Sequence, residues 1–250
     1  SQSGGVVLGA FDGELLVGIV MGFLGTDSMN PGRVAMARLK HCSYLLGVHP
    51  DYRSRGIGYQ LKLAQRTAVM GDGIRLITWT YDPLMSINAH LNIRQLASIC
   101  RIYLRDVYGK LRDELNQGIP TDRFQVEWWI TSSRVDARVD NQRLPLDLAN
   151  YLSAGAVKIN PCMLNDRDLI IPGEDWFKPD GNLLLVEIPS DFLFLKKRDL
   201  GLARVWRQHT REIFEYVFAE GYLITDFVYL KGETVPRSYY VLSHGESRLG

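Results

Sequence analysis

The chain has 250 residues, enough to bury a sizeable core in one large domain or two modest ones. Lys+Arg 29 against Asp+Glu 28 leaves a formal charge of +1, so no general field draws it to nucleic acid or to a membrane surface. Its 46% hydrophobic content is that of an ordinary globular protein. The three cysteines, Cys42, Cys100 and Cys162, stand far apart and form no CxxC pair; this excludes a disulfide framework and a structural zinc site, and it suits a reducing cytoplasm.

Val6 to Phe11 and Leu15 to Phe23, joined through Asp12-Gly13, predict a β-hairpin. The apolar stretch Leu15 to Leu24 is too short to span a bilayer, and no signal peptide precedes it. Because the chain opens on Ser1 and Gly4-Gly5 leads straight into a strand, an upstream portion is expected to be missing. Loop chemistry follows at Asn30-Pro31-Gly32. His41 to Val48 predicts a strand buried on both faces. Tyr59 to Met70 places Leu61, Ala64 and Ala68 at helical spacing, stopped by Gly71-Asp72-Gly73. Ile74 to Tyr81 is a further buried strand, ended by Asp82-Pro83. Tyr44 to Tyr81 therefore spells strand, glycine-rich turn, helix, strand, the pattern of a βαβ crossover with parallel strands.

A second helix is expected over Ser86 to Ile99. The run Phe124 to Ile130 predicts a strand with Val126 and Trp128 on one face and Glu127 and Trp129 on the other. Polar Ser132 to Gln142 suggests a boundary, dividing the chain into domains 1–134 and 135–250. The second region predicts strand Leu183 to Ile188, helix Leu200 to Ala219 and strand Leu223 to Leu230. On that helix Leu202, Trp206, Ile213 and Val217 share a buried side.

The most informative stretch is "VHPDYRSRGIG", Val48 to Gly58. A glycine-rich turn between a buried strand and a helix aims several backbone N–H groups one way, and the helix dipole adds partial positive charge there. Gly56 and Gly58 let a phosphate approach the backbone, with Arg53 and Arg55 at the rim. A P-loop would need Gly-Lys-Ser/Thr at the helix start, where Gly56-Ile57-Gly58-Tyr59 stands. A dinucleotide fingerprint would need GxGxxG and a later acidic residue. What fits is Arg-x-x-Gly-x-Gly, Arg53 to Gly58, preceded by Val-x-Pro-x-Tyr.

In these residues the sequence resembles the GNAT superfamily of acyl-CoA-dependent N-acyltransferases, over roughly residues 5 to 131. The resemblance implies a mixed α/β fold, with a twisted mixed sheet and a βαβ acyl-CoA-binding core, followed by a C-terminal α+β extension. Implied cofactor-binding residues are Leu46, Gly47, Val48, Arg53, Ser54, Arg55, Gly56, Ile57 and Gly58. Asn88 and Asn92, one helical turn apart, could bond pantetheine amides or equally only cap the helix or face solvent. The co-substrate is acetyl-CoA or another acyl-CoA, without a metal. The acceptor is the primary amine of a small molecule; neither nucleic acid nor membrane is expected as a partner, and a homodimer is allowed. The two parallel strands are implied to splay, leaving a backbone N–H near Leu46 to Val48 for the thioester carbonyl.

Downstream, "SINAHLNIRQLAS" resembles the family's following helix, but Ile93 stands where the family places a tyrosine acid. The strand before the loop, "LKHCSYLLGV", has no carboxylate for a base, so His41 and Glu127 are the candidates. For each, the bland alternative is a structural histidine bonded to backbone and a solvated strand glutamate. A silent acyl-CoA sensor or scaffold is the competing function. Arg198 to Ala203 repeats Arg-x-x-Gly-x-Ala before the long helix. A decayed second lobe would explain it, yet the preceding turn is longer and lacks Val-x-Pro-x-Tyr, which favours coincidence.

Overall fold

The computed structural model describes residues 5–27, 34, 38–109, 118–140, 145–232 and 235–244. The expected loop Asn30-Pro31-Gly32 lies outside the described residues, as does part of Ser132 to Gln142. In chain order the elements begin β1 (Val6–Asp12), β2 (Leu15–Thr26), β3 (Leu39–Val48), a 3₁₀ turn at Pro50–Tyr52, α1 (Ile57–Gly71) and β4 (Leu76–Tyr81). Then come α2 (Ser86–Ala89), a π-helical turn at His90–Gln95, β5 (Ile99–Leu104), β6 (Arg123–Trp129), α3 (Ser133–Val139) and α4 (Leu148–Ser153). The chain continues through β7 (Val157–Lys158), β8 (Cys162–Leu164), β9 (Ile170–Pro172) and β10 (Leu183–Ile188). It ends with α5 (Phe192–Arg198), α6 (Leu200–Ala219), β11 (Leu223–Leu230) and β12 (Arg237–Ser243). This is a mixed α/β fold whose strand pairings are mostly antiparallel.

The described residues divide into two compact units, one holding those through Trp79 together with Glu127–Asp140, the other Thr80–Val126 and the described residues between 145 and 244. The first unit has strand order β1-β2-β3-β4, followed beside β4 by β6, of which Glu127–Trp129 belong to this unit. Its hairpin turns through Gly13-Glu14, with Asp12 opposite Leu15 and Gly13 at φ 59°. Helix α1 lies close on β2 because Gly18 has no side chain: a Cβ there would stand 3.0 Å from Ile57 and 3.0 Å from Leu61. Arg66 of α1 donates from Nε to the carbonyl of Ile130 at 2.8 Å and pairs with Asp136 of α3. Those bonds tie the helix to the segment after β6.

Two expectations for this unit fail. Strand β3 is not buried on both faces, since Tyr44 and Leu45 are exposed, as are Val7 and Phe23 on the neighbouring strands. The inward residues of α1 are Leu61, Lys62, Gln65 and Val69, while Ala64 is exposed. Two polar side chains face inward because β3 offers them polar partners, described below.

The second unit has strand order β5-β11-β12-β10-β7, with β12 antiparallel to both β10 and β11, and a separate β8-β9 hairpin. Strands Leu183–Ile188 and Leu223–Leu230 and helix Leu200–Ala219 fall where the apolar runs put them. Helix α6 buries Trp206, Ile213, Phe214 and Val217, and with them Arg207, His209 and Thr210. Phe124, Phe214, Phe227 and Tyr240 form an aromatic cluster with centroids 4.7 to 5.4 Å apart in the pairs Phe124–Phe214, Phe214–Tyr240 and Phe227–Tyr240.

The helix expected over Ser86 to Ile99 ends early. It passes from α2 into the π-turn and stops at Ala97, whose φ of 54° breaks helical geometry. Ile99 instead opens β5, which pairs with β11 at Cys100↔Ile224. A short apolar run does not say whether it is a strand or a buried helical turn; its pairing partner, more than a hundred residues on, decides.

Candidate acyl-CoA site

The loop from His49 to Gly56 is built to leave amides free. His49 caps the 3₁₀ turn, with Pro50 at its start, and Tyr52 donates its hydroxyl proton to Asp12 at 2.8 Å. Hydrogen bonding to Asp12 raises the Tyr52 phenol above its ordinary pKa, so the hydroxyl stays protonated as the donor. Arg53 donates from Nε to the carbonyl of Val48 at 3.3 Å, and the Arg55 guanidinium lies 4.9 Å from the Tyr52 ring centroid. Ser54 and Gly56 both take positive φ, 61° and 78°. Gly56 is the N-cap of α1 and makes no side-chain cap bond. Arg53 to Gly56 are exposed, and among the described residues the amides from Ser54 to Gly58 donate no hydrogen bond. A row of unpaired amides at a helix N-terminus, rimmed by two arginines, suits a phosphate or pyrophosphate.

Behind the loop, β3 and β4 are parallel but barely paired. Their ladder consists of His41↔Ile77 and Cys42↔Thr78. Past that pair, β3 runs on from Ser43 to Val48 bonded to β2, and β4 runs on from Trp79, with no further pairing between them. The β2-β3 register passes from Met21↔Leu45 to Gly22↔Ser43, leaving Tyr44 as an extra residue in a bulge. The expected parallel crossover with diverging strands is therefore present, and Leu46, Gly47 and Val48 border the opening.

At the closed end of this opening sits a polar network that the apolar pattern had hidden. Lys62 of α1 is 1% exposed. Its Nζ donates to Ser43 Oγ at 2.7 Å and to Gln65 Oε1 at 3.2 Å, and lies 3.7 Å from the Trp79 ring centroid. Ser43 Oγ in turn donates to Gln65 Oε1 at 3.0 Å. With its oxygen accepting twice, Gln65 turns its amide nitrogen to His41 Nε2 at 3.1 Å, which makes that ring nitrogen the acceptor. Burial pulls the Lys62 ammonium down to about 7. Burial first, and then the nearby Lys62 charge, pull the His41 imidazole below its ordinary range, partly countered by Asp72.

His41 itself is 1% exposed, fixed by a side chain rather than by backbone. Its ring occupies the space beside Gly22, where a Cβ would stand 2.2 Å from Nε2. Glu127 is buried rather than solvated, and accepts from Trp129 Nε1 at 3.2 Å. Trp128 is fully buried and stacks edge-on against Trp79, with 6.0 Å between centroids. His41, Glu127 and the loop all belong to the first unit, and Asn88 and Asn92 to the second. Asn92 is buried, its carbonyl taken by Ser98, while Asn88 is half-buried. Ile93 is wholly buried. Sequence reasoning missed Lys62 and Gln65; the signal available was their i, i+3 spacing beside Leu61 on a helix that must cover a strand carrying His41 and Ser43.

The second Arg-x-x-Gly-x-Ala stretch has no comparable amides. Asp199 caps α6, its carboxylate accepting from Leu202 N at 2.8 Å. The helix end thus already holds a negative charge, which repels phosphate. Among the described residues no group of three or more His, Cys, Asp or Glu could hold a metal ion, and no helix is long and apolar enough to cross a membrane.

No protein-family model matches the sequence, and no curated protein matches it. Solved structures do resemble it. One is the NatC complex bound to Gag peptide and CoA, at 18% identity and TM-score 0.38; the likeness covers 49% of this chain and 66%, just under two thirds, of the other. The IAA acetyltransferase from Bacillus cereus ATCC 14579 is 14% identical with TM-score 0.40, over 50% of this chain and 77% of its own. A GNAT family acetyltransferase from Elizabethkingia anophelis, with acetyl-CoA bound, is 11% identical with TM-score 0.40, over 51% and 78%. Among the solved structures that this chain is similar to, over about half its length, are acetyltransferases of the GNAT family.

Proposed function

We propose that this protein is an N-acyltransferase of the GNAT type, which moves an acyl group, most simply acetyl, from acyl-CoA to the primary amine of a small molecule. The observation that carries the reading is the conjunction of unpaired amides from Ser54 to Gly58 with the unpaired strand edge behind them. Those amides, with Arg53 and Arg55, hold the pyrophosphate. The pantetheine arm lies along β3 past Val48, Gly47 and Leu46, where an amide-bearing arm replaces the missing parallel partner.

The acceptor nitrogen attacks the thioester carbonyl directly, and a backbone N–H on the open edge of β3 stabilises the oxyanion. One such donor is worth about 3–4 kcal/mol. The buried Ile93 supplies no acid. A thiolate with a pKa of about 8.5 is a tolerable leaving group, so transfer does not require one at that position. His41 faces Gln65 and is poorly placed to reach an acceptor.

A catalytically silent acyl-CoA sensor is the second reading, favoured by Ile93 and by a β3 strand without carboxylates. Calorimetry with CoA and acetyl-CoA, followed by CoA-release assays across small amines and peptide amino termini, separates the cases. Binding with turnover supports the transferase, and turnover on peptides alone replaces the small-molecule acceptor. Binding without turnover supports the sensor. No binding removes both.

A further inference from the structure

Ser43 and Trp79 are the first residues of β3 and β4 past the last ladder pair, Cys42↔Thr78. Lys62 Nζ touches both, 2.7 Å from the Ser43 hydroxyl and 3.7 Å from the Trp79 centroid, so a single amine seals the closed end of the opening. A pantetheine arm has about a dozen backbone bonds, the length of about four residues of extended chain. Laid along β3 from Val48, it ends beside Tyr44 and Ser43. On this path the sulfur of a bound thioester would come to Ser43, the residue that Lys62 Nζ touches.

We propose that Lys62 is the general acid of the transfer, giving its ammonium proton to the departing CoA sulfur. The inference rests on the acyl-CoA reading above. The acceptor nitrogen's lone pair forms the C–N bond, and the C–S bond breaks with its electron pair on sulfur. The Lys62 proton passes to that sulfur, leaving a neutral amine. The proton released by the acceptor nitrogen restores the ammonium, so each turnover returns Lys62 to its starting state.

The surroundings fit this role better than a packing role. Among the described residues no carboxylate pairs with Lys62, so the helix carries a buried cation that apolar methylenes could replace with less desolvation. Ser43 and Gln65 hold the amine at one point, and Gln65 also fixes the His41 ring. The titratable groups facing the network are His41 from β3 and, through His41, Asp72 at the end of α1. With its affinity for protons brought down to about 7 by burial, Lys62 can both give and regain a proton near neutral pH.

The test needs no known acceptor. CoA bound to the protein is titrated by the ultraviolet absorbance of its thiolate, in the wild type and in Lys62→Met. An ammonium beside the sulfur favours the thiolate and a thiolate there keeps the ammonium charged, so the bound thiol of the wild type should titrate about one pH unit or more below the bound thiol of Lys62→Met. Lys62→Arg, which keeps a cation, retains that depression. If the Met variant does not fold, Lys62→Gln serves for the same comparison. Equal thiol titration in wild type and neutral variant, with CoA bound to both, overturns the role of Lys62 and leaves the acyl-CoA reading standing. Failure of the wild type to bind CoA overturns both.

Discussion

Lys62 on α1 donates to Ser43 on β3 across 2.7 Å, although nothing in the spacing of apolar residues places a lysine on the inward face of that helix. An ammonium is admitted to a core only when its hydrogen bonds are met and its stem is covered. Here Ser43, Gln65 and the Trp79 ring meet those needs. The helix that presents unpaired amides at its N-terminus thus carries a titratable group one and a half turns further on.

That burial has a stability signature. Unfolded, Lys62 titrates near 10.4; folded, it titrates at about 7. Between these values the unfolded chain holds more protons, so stability rises with pH over that window, by at most about 1.4 kcal/mol per unit. Below pH 7 the full desolvation cost is present. Lys62→Met is therefore expected to be more stable than the wild type at pH 6.5, by roughly 2 kcal/mol, with the advantage shrinking towards pH 9. Urea unfolding at several pH values checks this, and a constant difference across the range would contradict it.

The loop should be sensitive to conformation and charge separately. Gly56 has open space around a would-be Cβ but a φ of 78°, so a side chain there meets strain rather than a clash. Gly56→Glu adds a carboxylate at the anion site, and CoA affinity is expected to fall by about 10²-fold or more. Arg55→Ala is expected to cost only about three- to tenfold, an effect that fades with added salt. Calorimetry at two ionic strengths reads both.

Gly22 is a packing requirement. A Cβ at this position would lie 2.2 Å from His41 Nε2 and 2.5 Å from the Cys42 carbonyl, and the backbone atom has no freedom to move aside. Gly22→Ala is expected to lower stability by about 1–3 kcal/mol. The urea midpoint should drop with little change in slope.

In the second unit, Arg211 grips Asp122 with two bonds, Nε to Oδ2 at 2.8 Å and Nη2 to Oδ1 at 2.9 Å. Burial pushes the Asp122 carboxyl up, but the Arg211 bonds, the Asp106 amide, the Tyr103 hydroxyl and the Arg207 charge outweigh it and hold it below its ordinary value. The stabilisation is therefore present above about pH 4 and lost as pH falls through the depressed value. Arg211→Met strands a buried carboxylate and should cost about 3–5 kcal/mol at pH 7. The gap to wild type should narrow in acid, as followed by urea midpoints between pH 7 and pH 3.

Much of the core was legible in the chain because its signals are local. Turn chemistry at Asp12-Gly13, the glycine-rich stretch Arg53 to Gly58, and the periodicity of Leu200 to Ala219 each act within one element, where neighbouring residues decide the backbone. The loop at Arg53 to Gly58 belongs to this group, since a helix N-terminus and positive-φ residues are properties of a few consecutive positions. The apolar reading of α1 failed for a different reason. Whether Lys62 and Gln65 point inward depends on what β3 and β4 present to them, and His41, Ser43 and Trp79 are brought there by the fold.

The amino-acid sequence by itself determined the strand–loop–helix–strand unit, the glycine-rich loop at the helix start and the long helix of the second half. Tertiary structure alone decided that Ile99 joins a strand, that β12 inserts between β10 and β11, that Glu127 is buried, and that a lysine closes the gap between β3 and β4. The division is physical: backbone conformation responds to near neighbours in the chain. Strand partnership and the burial of polar side chains depend on groups that only folding brings together.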